Sequence, residues 1–446
     1  ISFLIAGIVC GAAVMCYAEF ASMIPVAGSA YTFTYTTVGE IMAWIIGWDL
    51  ILEMLMAGSV ISKYWGVYLN DFMRLMGWNA NTNLTFGSFH IDIAPIIIVA
   101  FFTTLLVFGT KIGARVDGAM TVLKIAIVFF VVIVGFFYVK ASNFTPFIPP
   151  SQPASTVEGS SAVTGVMTQP LWQFATGMTP SVYGVPGILS GAALVFFAFI
   201  GFDVVATASE ETKNPHKNVP LGIGVGMLLI IVMYMLVAVV TTGMVSYADL
   251  AKQDSPSLAT AFELVGADWA AKIISFGIVL GLATVVMVLL LGLTRIVFAM
   301  SRDGLLPRGL SKTGKHGTPA ALQIVVGAVV ALVAAFFDIG VLSDMVNIGT
   351  LSAFTLVAIS IPIMRKKRPD LPRAFKMPGS PWIPILIAVA NFWLMLNLSV
   401  LTWIRFVVWL VVGFAIYFGY GYWHARLGKG DLTETLSAET DKAVNG

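Results

Sequence analysis

Eleven stretches of this chain are long and apolar enough to cross a lipid bilayer, and that repetition constrains the fold more than any single motif does. They cover residues 1–18, 38–62, 93–109, 118–139, 188–208, 220–245, 271–299, 320–337, 341–364, 381–399 and 402–423. A hydrocarbon core of roughly 30 Å takes about 20 helical residues at 1.5 Å each. A helix also satisfies its own backbone N–H and C=O groups, as lipid demands. Of the 446 residues, 58% are hydrophobic and 11% charged, against about 25% charged in a soluble domain. Mean hydropathy is +0.91. The chain reads as an all-α polytopic membrane protein.

Orientation follows from Lys and Arg. With the C-terminus in the cytoplasm, the loops on that side hold 17 of the 25 basic residues, including Arg365, Lys366, Lys367 and Arg368. The opposite side holds 6, counting Lys272 and Arg405 at the outer ends of their spans, while Lys124 and Arg295 fall inside helices. An excess of basic residues marks the cytoplasmic face. Eleven crossings counted back from there put Ile1 outside, with neither a start methionine nor a charged leader before it. The reading therefore expects one further helix upstream and twelve spans in the natural protein.

Several functional classes are disfavoured early. A net charge of +2, with no basic patch interleaved with aromatics, gives no reason to expect nucleic acid. Cys10 and Cys16 share one apolar run and read as small buried hydrophobes, not as a disulfide. The four histidines (His90, His216, His316, His424) lack metal-ligand spacing, and no metalloprotease, nucleophile-elbow or Walker motif is present. No enzyme, metal or cofactor is expected.

Residues 19–37 read as a cytoplasmic stretch, re-entrant or lying along the membrane. Residues 140–187 form a long outer loop rich in Pro, Ser and Thr, with a short helix or lid as an option. A second outer loop covers 247–267. Residues 366–380 are a proline-containing inner linker, and 431–446 a polar, disordered tail.

The most informative stretch is 188–220, ILSGAALVFFAFIGFDVVATASEETKNPHKNVP. Gly201 weakens a helix by roughly 1 kcal/mol against Ala, and an ionised Asp203 at a span's centre costs about 2.5–3.5 kcal/mol on insertion scales. Both make sense where a helix is locally unwound and its freed backbone faces a solute. Lys124 lies about six residues into its span, roughly 9 Å deep, at a depth similar to that of Asp203. An intramembrane amine near a carboxylate can take up and release a proton; the plainer alternatives are a static pair or snorkelling to headgroups. Asp49 and Glu53, four apart, share a helix face, with Glu53 near mid-span. Either carboxylate could hold a cation, close a hydrogen-bond network or stay protonated and inert. Phe196, Phe197, Phe199 and Phe202 read first as packing, with one ring open to a gating role beside Gly201. Gly187/Gly191, Gly277/Gly281 and the run Gly222, Gly224, Gly226 read as close helix contacts. Arg302 and Asp303 read as an interfacial ion pair.

Four segments then converge on a known family: CYAEFASMIPVAGSAYTFTYTTVGEIMAWIIGWDLILE, FFAFIGFDVVATASEETKNPHKNVPLGI, SRDGLLP and NIGTLSAF. Together they resemble the amino acid/polyamine/organocation transporters, in particular bacterial relatives of cationic amino acid transporters, over nearly the whole chain. The resemblance implies two inverted five-helix repeats and two extra helices, with the first and sixth helices broken. On this chain that means 1–139 as a first repeat lacking its first helix, 140–187 as outer loop and 188–364 as second repeat. A cytoplasmic linker at 365–380, accessory helices at 381–424 and a tail at 425–446 complete it. It implies Phe197 as an aromatic gate, Ile200 and Gly201 as pocket lining with Asp203 close by, Glu53 as a carboxylate on the third helix, and Lys124 as the proton-coupling lysine. The roles expected on it are Asp203 and Glu53 as polar walls, with unwound backbone near Ala198–Gly201 as hydrogen-bond partner for the substrate amine.

The function expected is proton-coupled L-amino-acid symport by alternating access in a bacterial plasma membrane, with the C-terminus inside. Obligate amino-acid exchange is the alternative; a channel or a non-transporting sensor stands further off. The expected partners are an amino-acid substrate, protons and the lipid bilayer, with a small single-span accessory subunit left open.

Overall fold

Ten of the eleven apolar runs become helices, and the run at 188–208 is helical as far as Phe199, in the computed structural model, which describes residues 1–23, 29–37, 39–78, 82–86, 89–109, 113–156, 165–201, 214–253, 256–314, 318–367, 369, 373 and 375–425. In chain order the elements are α1 (Ser2–Met23), α2 (Ser29–Thr37), α3 (Glu40–Leu75), β1 (Asn83–Phe86), β2 (Phe89–Asp92), α4 (Ile93–Phe108) and α5 (Gly113–Phe136). After them come β3 (Gln152–Pro153), α6 (Leu171–Thr176), β4 (Ser181–Val182), α7 (Gly184–Val195), α8 (Pro215–Met244), α9 (Tyr247–Ala251) and α10 (Leu258–Leu264). The rest is helical: α11 (Asp268–Arg302), α12 (Ala320–Phe336), α13 (Ile339–Lys367), α14 (Trp382–Leu396) and α15 (Val400–Ile416). Among the described residues, seven helices are long and apolar enough to cross a membrane, and α4, α7, α12 and α14 are shorter apolar ones.

The centre of the bundle is α3, which packs most extensively against α11 and α13. Small residues let it come close. At Gly47 a Cβ would stand 2.8 Å from Met300 Sδ and 2.9 Å from the Tyr31 ring, and at Gly349 one would stand 3.2 Å from Leu52. Without a hydrophobic drive between helices in lipid, such close backbone approach supplies the packing. Polarity is arranged inside-out to match: Asp49, Glu53, Ser59 and Ser62 of α3 are buried, whereas Phe129 and Ile133 of α5 and Leu228 and Val232 of α8 are exposed. Those outward apolar faces suit a lipid surround.

The C-terminal end of α1 carries a second organising feature. Arg365 of α13 grips Glu19 with a fork, Nε to Oε1 at 2.9 Å and Nη2 to Oε2 at 2.7 Å. The Met377 N–H donates to Glu19 Oε2 at 2.8 Å, and Arg373 Nε stands 3.7 Å from Oε1. Nearby, the Tyr31 hydroxyl donates to Asp303 Oδ2 at 2.9 Å, and Tyr417 to Glu40 Oε1 at 2.7 Å. The expected Arg302–Asp303 pair is present at 3.6 Å.

Several sequence expectations need correction. Glu19 is not in a loop: α1 continues to Met23 and buries it completely. Gly222, Gly224 and Gly226 bring no helix close, since a Cβ at any of them would meet nothing within 4 Å. By contrast, a Cβ on Gly277 would run into Ile127 of α5, and one on Gly191 would stand 2.9 Å from Ser2 Oγ, so those glycines do permit contact. The helix expected from Ile188, α7, begins at Gly184, inside the stretch read as outer loop, which also carries α6 and the β3–β4 pair. The β1–β2 hairpin was not foreseen, although apolar alternation about Gly87-Ser88 signals one. Both cysteines are free and buried, as expected. The tail at 431–446 lies outside the described residues.

Candidate functional site

The α-helical part of α7 ends at Val195, tightens into a 3-10 turn over Phe196–Phe199, and then gives way. Ile200 is extended (ψ 145°) and Gly201 takes a φ of +116°, a region that L side chains rarely adopt. An interrupted helix leaves carbonyls without their usual N–H partners, and here side chains of neighbouring helices supply them. Asn347 Nδ2 of α13 donates to the Leu194 carbonyl at 3.2 Å, and the Tyr234 hydroxyl of α8 donates to that of Ala198 at 2.6 Å. The Cys10 thiol of α1 lies 4.0 Å from the Phe199 carbonyl. The break is thus held from three sides while its carbonyls keep a second lone pair.

The rings divide as the packing reading suggested, with one exception. Phe196 is buried edge-on to Phe354, with centroids 5.8 Å apart, and Phe199 is buried against Tyr234 at 5.2 Å. Phe197, Ala198, Ile200 and Gly201 are half-buried at the break. Phe202 and Asp203 lie outside the described residues, so the Lys124–Asp203 pairing goes with them.

The carboxylates on α3 share a face, as their spacing required, and both are completely buried. Ser352 Oγ of α13 donates to Asp49 Oδ2 at 2.7 Å, while Asp49 Oδ1 has no hydrogen bond among the described residues. Glu53 sits one turn further along. Lys124 is half-buried on α5, its stem against α11: a Cβ on Gly281 would be 3.2 Å from Lys124 Cγ. The small residue at 281 makes room for the long one at 124.

A cavity of about 510 Å³ opens at the opposite end of α1 from Glu19, lined by Ser2, the first turns of α7, Asp344 and the 397–399 turn. Of the residues singled out in the sequence, Gly187 and Gly191 line it and none of the expected site residues does; Leu194, two residues above the 3-10 turn, is its nearest link to the break. The sequence reading missed Tyr234, Asn347 and Ser352, polar groups inside apolar runs whose partners lie far away in the chain. It also missed the pairing of Glu19 with Arg365.

Comparison with known proteins agrees with this geometry. The sequence matches the amino acid permease family over residues 1–420. It is 42% identical over 437 residues to the branched-chain amino acid permease BcaP of Bacillus subtilis, covering 96% of this chain and 87% of that one. It is 38% identical to the methylthioribose transporter of the same organism, with the same coverage. It is 36% identical to the vacuolar cationic amino acid transporter 2 of Arabidopsis thaliana, covering 83% of this chain and 54% of that one. A family match over nearly the whole chain, carried on an all-α multi-pass bundle, shows that this chain is a membrane transporter, not an enzyme, and belongs to the amino acid permease family.

Proposed function

We propose that the chain is a proton-coupled symporter of L-amino acids, working by alternating access in a bacterial plasma membrane with its C-terminus inside. The observation that carries this reading is that α7 gives way at Ile200–Gly201, with Ile200 extended and Gly201 at positive φ. Unwound backbone inside a bundle offers hydrogen-bonding groups to a solute that a continuous helix would keep to itself. On this reading the backbone at Ala198–Gly201 takes the substrate amine, Phe197 closes over it, and Ile200 lines the side-chain pocket. Glu53 and Asp203 are polar walls. Residues 1–139 and 188–364 act as two inverted repeats, with 381–424 as accessory helices.

Lys124 is the coupling group. A half-buried amine beside α11 is sensitive to any shift of that helix, because desolvation disfavours its charged form and a nearby carboxylate favours it. Aliphatic, branched amino acids are the preferred substrates; the name of the Bacillus relative supports this, as does the apolar character of Ile200. Cationic amino acids are the second choice, supported by the names of the plant relatives.

The test uses proteoliposomes holding the purified protein with its natural N-terminal sequence. Leucine is expected to accumulate under a pH gradient alone, and Lys124→Ala is expected to lower that accumulation at least about tenfold, a loss of ~1.4 kcal/mol of coupling. Uptake that needs internal amino acid and ignores the gradient would establish exchange instead. Undiminished accumulation in the variant would remove Lys124 from the mechanism.

A further inference from the structure

The cavity at the head of α7 has a chemistry of its own. Its volume of about 510 Å³ lies within the ~300–1,000 Å³ common for small-molecule sites. Val182, Ile188, Leu194 and Leu398 give it apolar walls, and no Lys or Arg lines it. Among the described residues its one charged lining residue is Asp344, in the second turn of α13.

The hydrogen bonds around Asp344 have a fixed direction. Thr402 Oγ1 donates to Asp344 Oδ2 at 2.9 Å. Having spent its proton there, Thr402 must accept from Ser399 Oγ, 2.7 Å away. The chain of donors therefore ends on the carboxylate, and no described residue hydrogen-bonds its other oxygen. Arg405 acts on Asp344 electrostatically but forms no ion pair with it within 4.0 Å. Asn397, on the same wall and 4% exposed, spends its Nδ2 on the Trp393 carbonyl and leaves its Oδ1 without a partner among the described residues. The unspent groups around Asp344 are acceptors, a carboxylate oxygen and an amide oxygen; the hydroxyls of Ser2, Thr168, Ser181, Tyr183 and Ser190 line the cavity beside its apolar residues, and each can accept as well as donate. An ammonium group brings three donors and no acceptor.

We propose that this cavity is a binding subsite for a primary ammonium with an aliphatic tail, with Asp344 as its counter-charge. The tail lies along Ile188 and Leu194. One turn along from Asp344, Asn347 holds the Leu194 carbonyl, which places the subsite beside the end of α7. That the occupant is substrate on its way in rests on the transport reading; that the cavity takes an amine does not.

The experiment titrates isopentylamine, which is leucine without its carboxylate, into the purified full-length chain by calorimetry. Saturable binding is expected, with none for isocaproate, which keeps the tail and has no amine. Asp344→Asn is expected to weaken amine binding at least about tenfold, the loss of one charge-assisted contact. Gly187→Leu fills the cavity from the α7 side, where a Cβ would meet only the Val182 carbonyl carbon at 3.6 Å, and is expected to abolish binding with the carboxylate intact. Should Asp344→Asn fail to fold by thermal melting, Gly187→Leu decides. Absence of amine binding to the wild type, or wild-type affinity in a folded variant, overturns the subsite. Leucine uptake is measured alongside: its absence with amine binding intact would sink the transport reading and leave the subsite standing.

Discussion

Gly201 holds a φ of +116° with nothing within 4 Å of where a Cβ would stand. An added methyl would therefore meet backbone strain and no crowding. Holding an L-residue in such a region costs about 1–3 kcal/mol, which the chain escapes by carrying the turn over Phe196–Phe199 onward as helix. Gly201→Ala is expected to cut the initial rate of leucine uptake at least about fivefold, the kinetic equivalent of ~1 kcal/mol. Its melting temperature should stay near that of the wild type, because no packing is lost. An unchanged rate would mean that the open conformation at 201 takes no part in transport. The same residue shows how much of the site could be read in advance. A glycine two positions from a carboxylate inside an apolar run is a local signal, and so is the four-residue spacing of Asp49 and Glu53. The partners of the break, Tyr234, Asn347 and Cys10, are 36, 153 and 189 residues from the carbonyls they approach. Nothing local marks them.

At the scale of elements, the spans were legible because hydropathy over some 20 residues reports solvent, and lipid is the solvent here. What hydropathy cannot report is which helix face meets protein and which meets lipid. Two sets of glycines with similar spacing show this. Gly277 and Gly281 of α11 receive Ile127 and Lys124 of α5, whereas Gly222, Gly224 and Gly226 of α8 face open space. Their substitutions should separate accordingly. Gly277→Leu forces α11 and α5 apart, and overpacking of this kind costs about 1–3 kcal/mol, so a lower melting temperature by tryptophan fluorescence is expected. Gly224→Leu removes a poor helix former where there is room, for a gain of up to ~1 kcal/mol, and should melt no lower than wild type. Equal destabilisation by both would mean that α8 has a packing partner on that face. Glu19 was misjudged for a related reason: a carboxylate near a span's end reads as loop until Arg365, 346 residues away, arrives to pair with it.

Across the whole molecule the two ends differ. At the end of α1 bearing Glu19, the fork from Arg365, the Met377 N–H and the Tyr31–Asp303 and Tyr417–Glu40 hydrogen bonds tie α1, α2, α3, α13, the residues just past α11 and α15, and the linker together. At the other end the 510 Å³ cavity stands open. On the alternating-access reading this is a conformation shut at the basic end, and the Glu19 cluster is part of what keeps it shut. Removing one partner of a buried ion pair leaves a desolvated charge uncompensated and is strongly unfavourable, so Glu19→Gln should shift the population toward states in which that end is open. Cys16, completely buried and one helical turn before Glu19, is a native reporter. In a Cys10→Ser background, alkylation of Cys16 by a charged, membrane-impermeant maleimide added to detergent-purified protein is expected to be slow. Adding Glu19→Gln is expected to speed it at least about tenfold, the change that ~1.4 kcal/mol of lost closure produces. If the variant instead labels at the wild-type rate while remaining folded, the cluster fastens the linker to α1 and α13 without governing access, and the closing contacts must be sought at Tyr31 and Asp303.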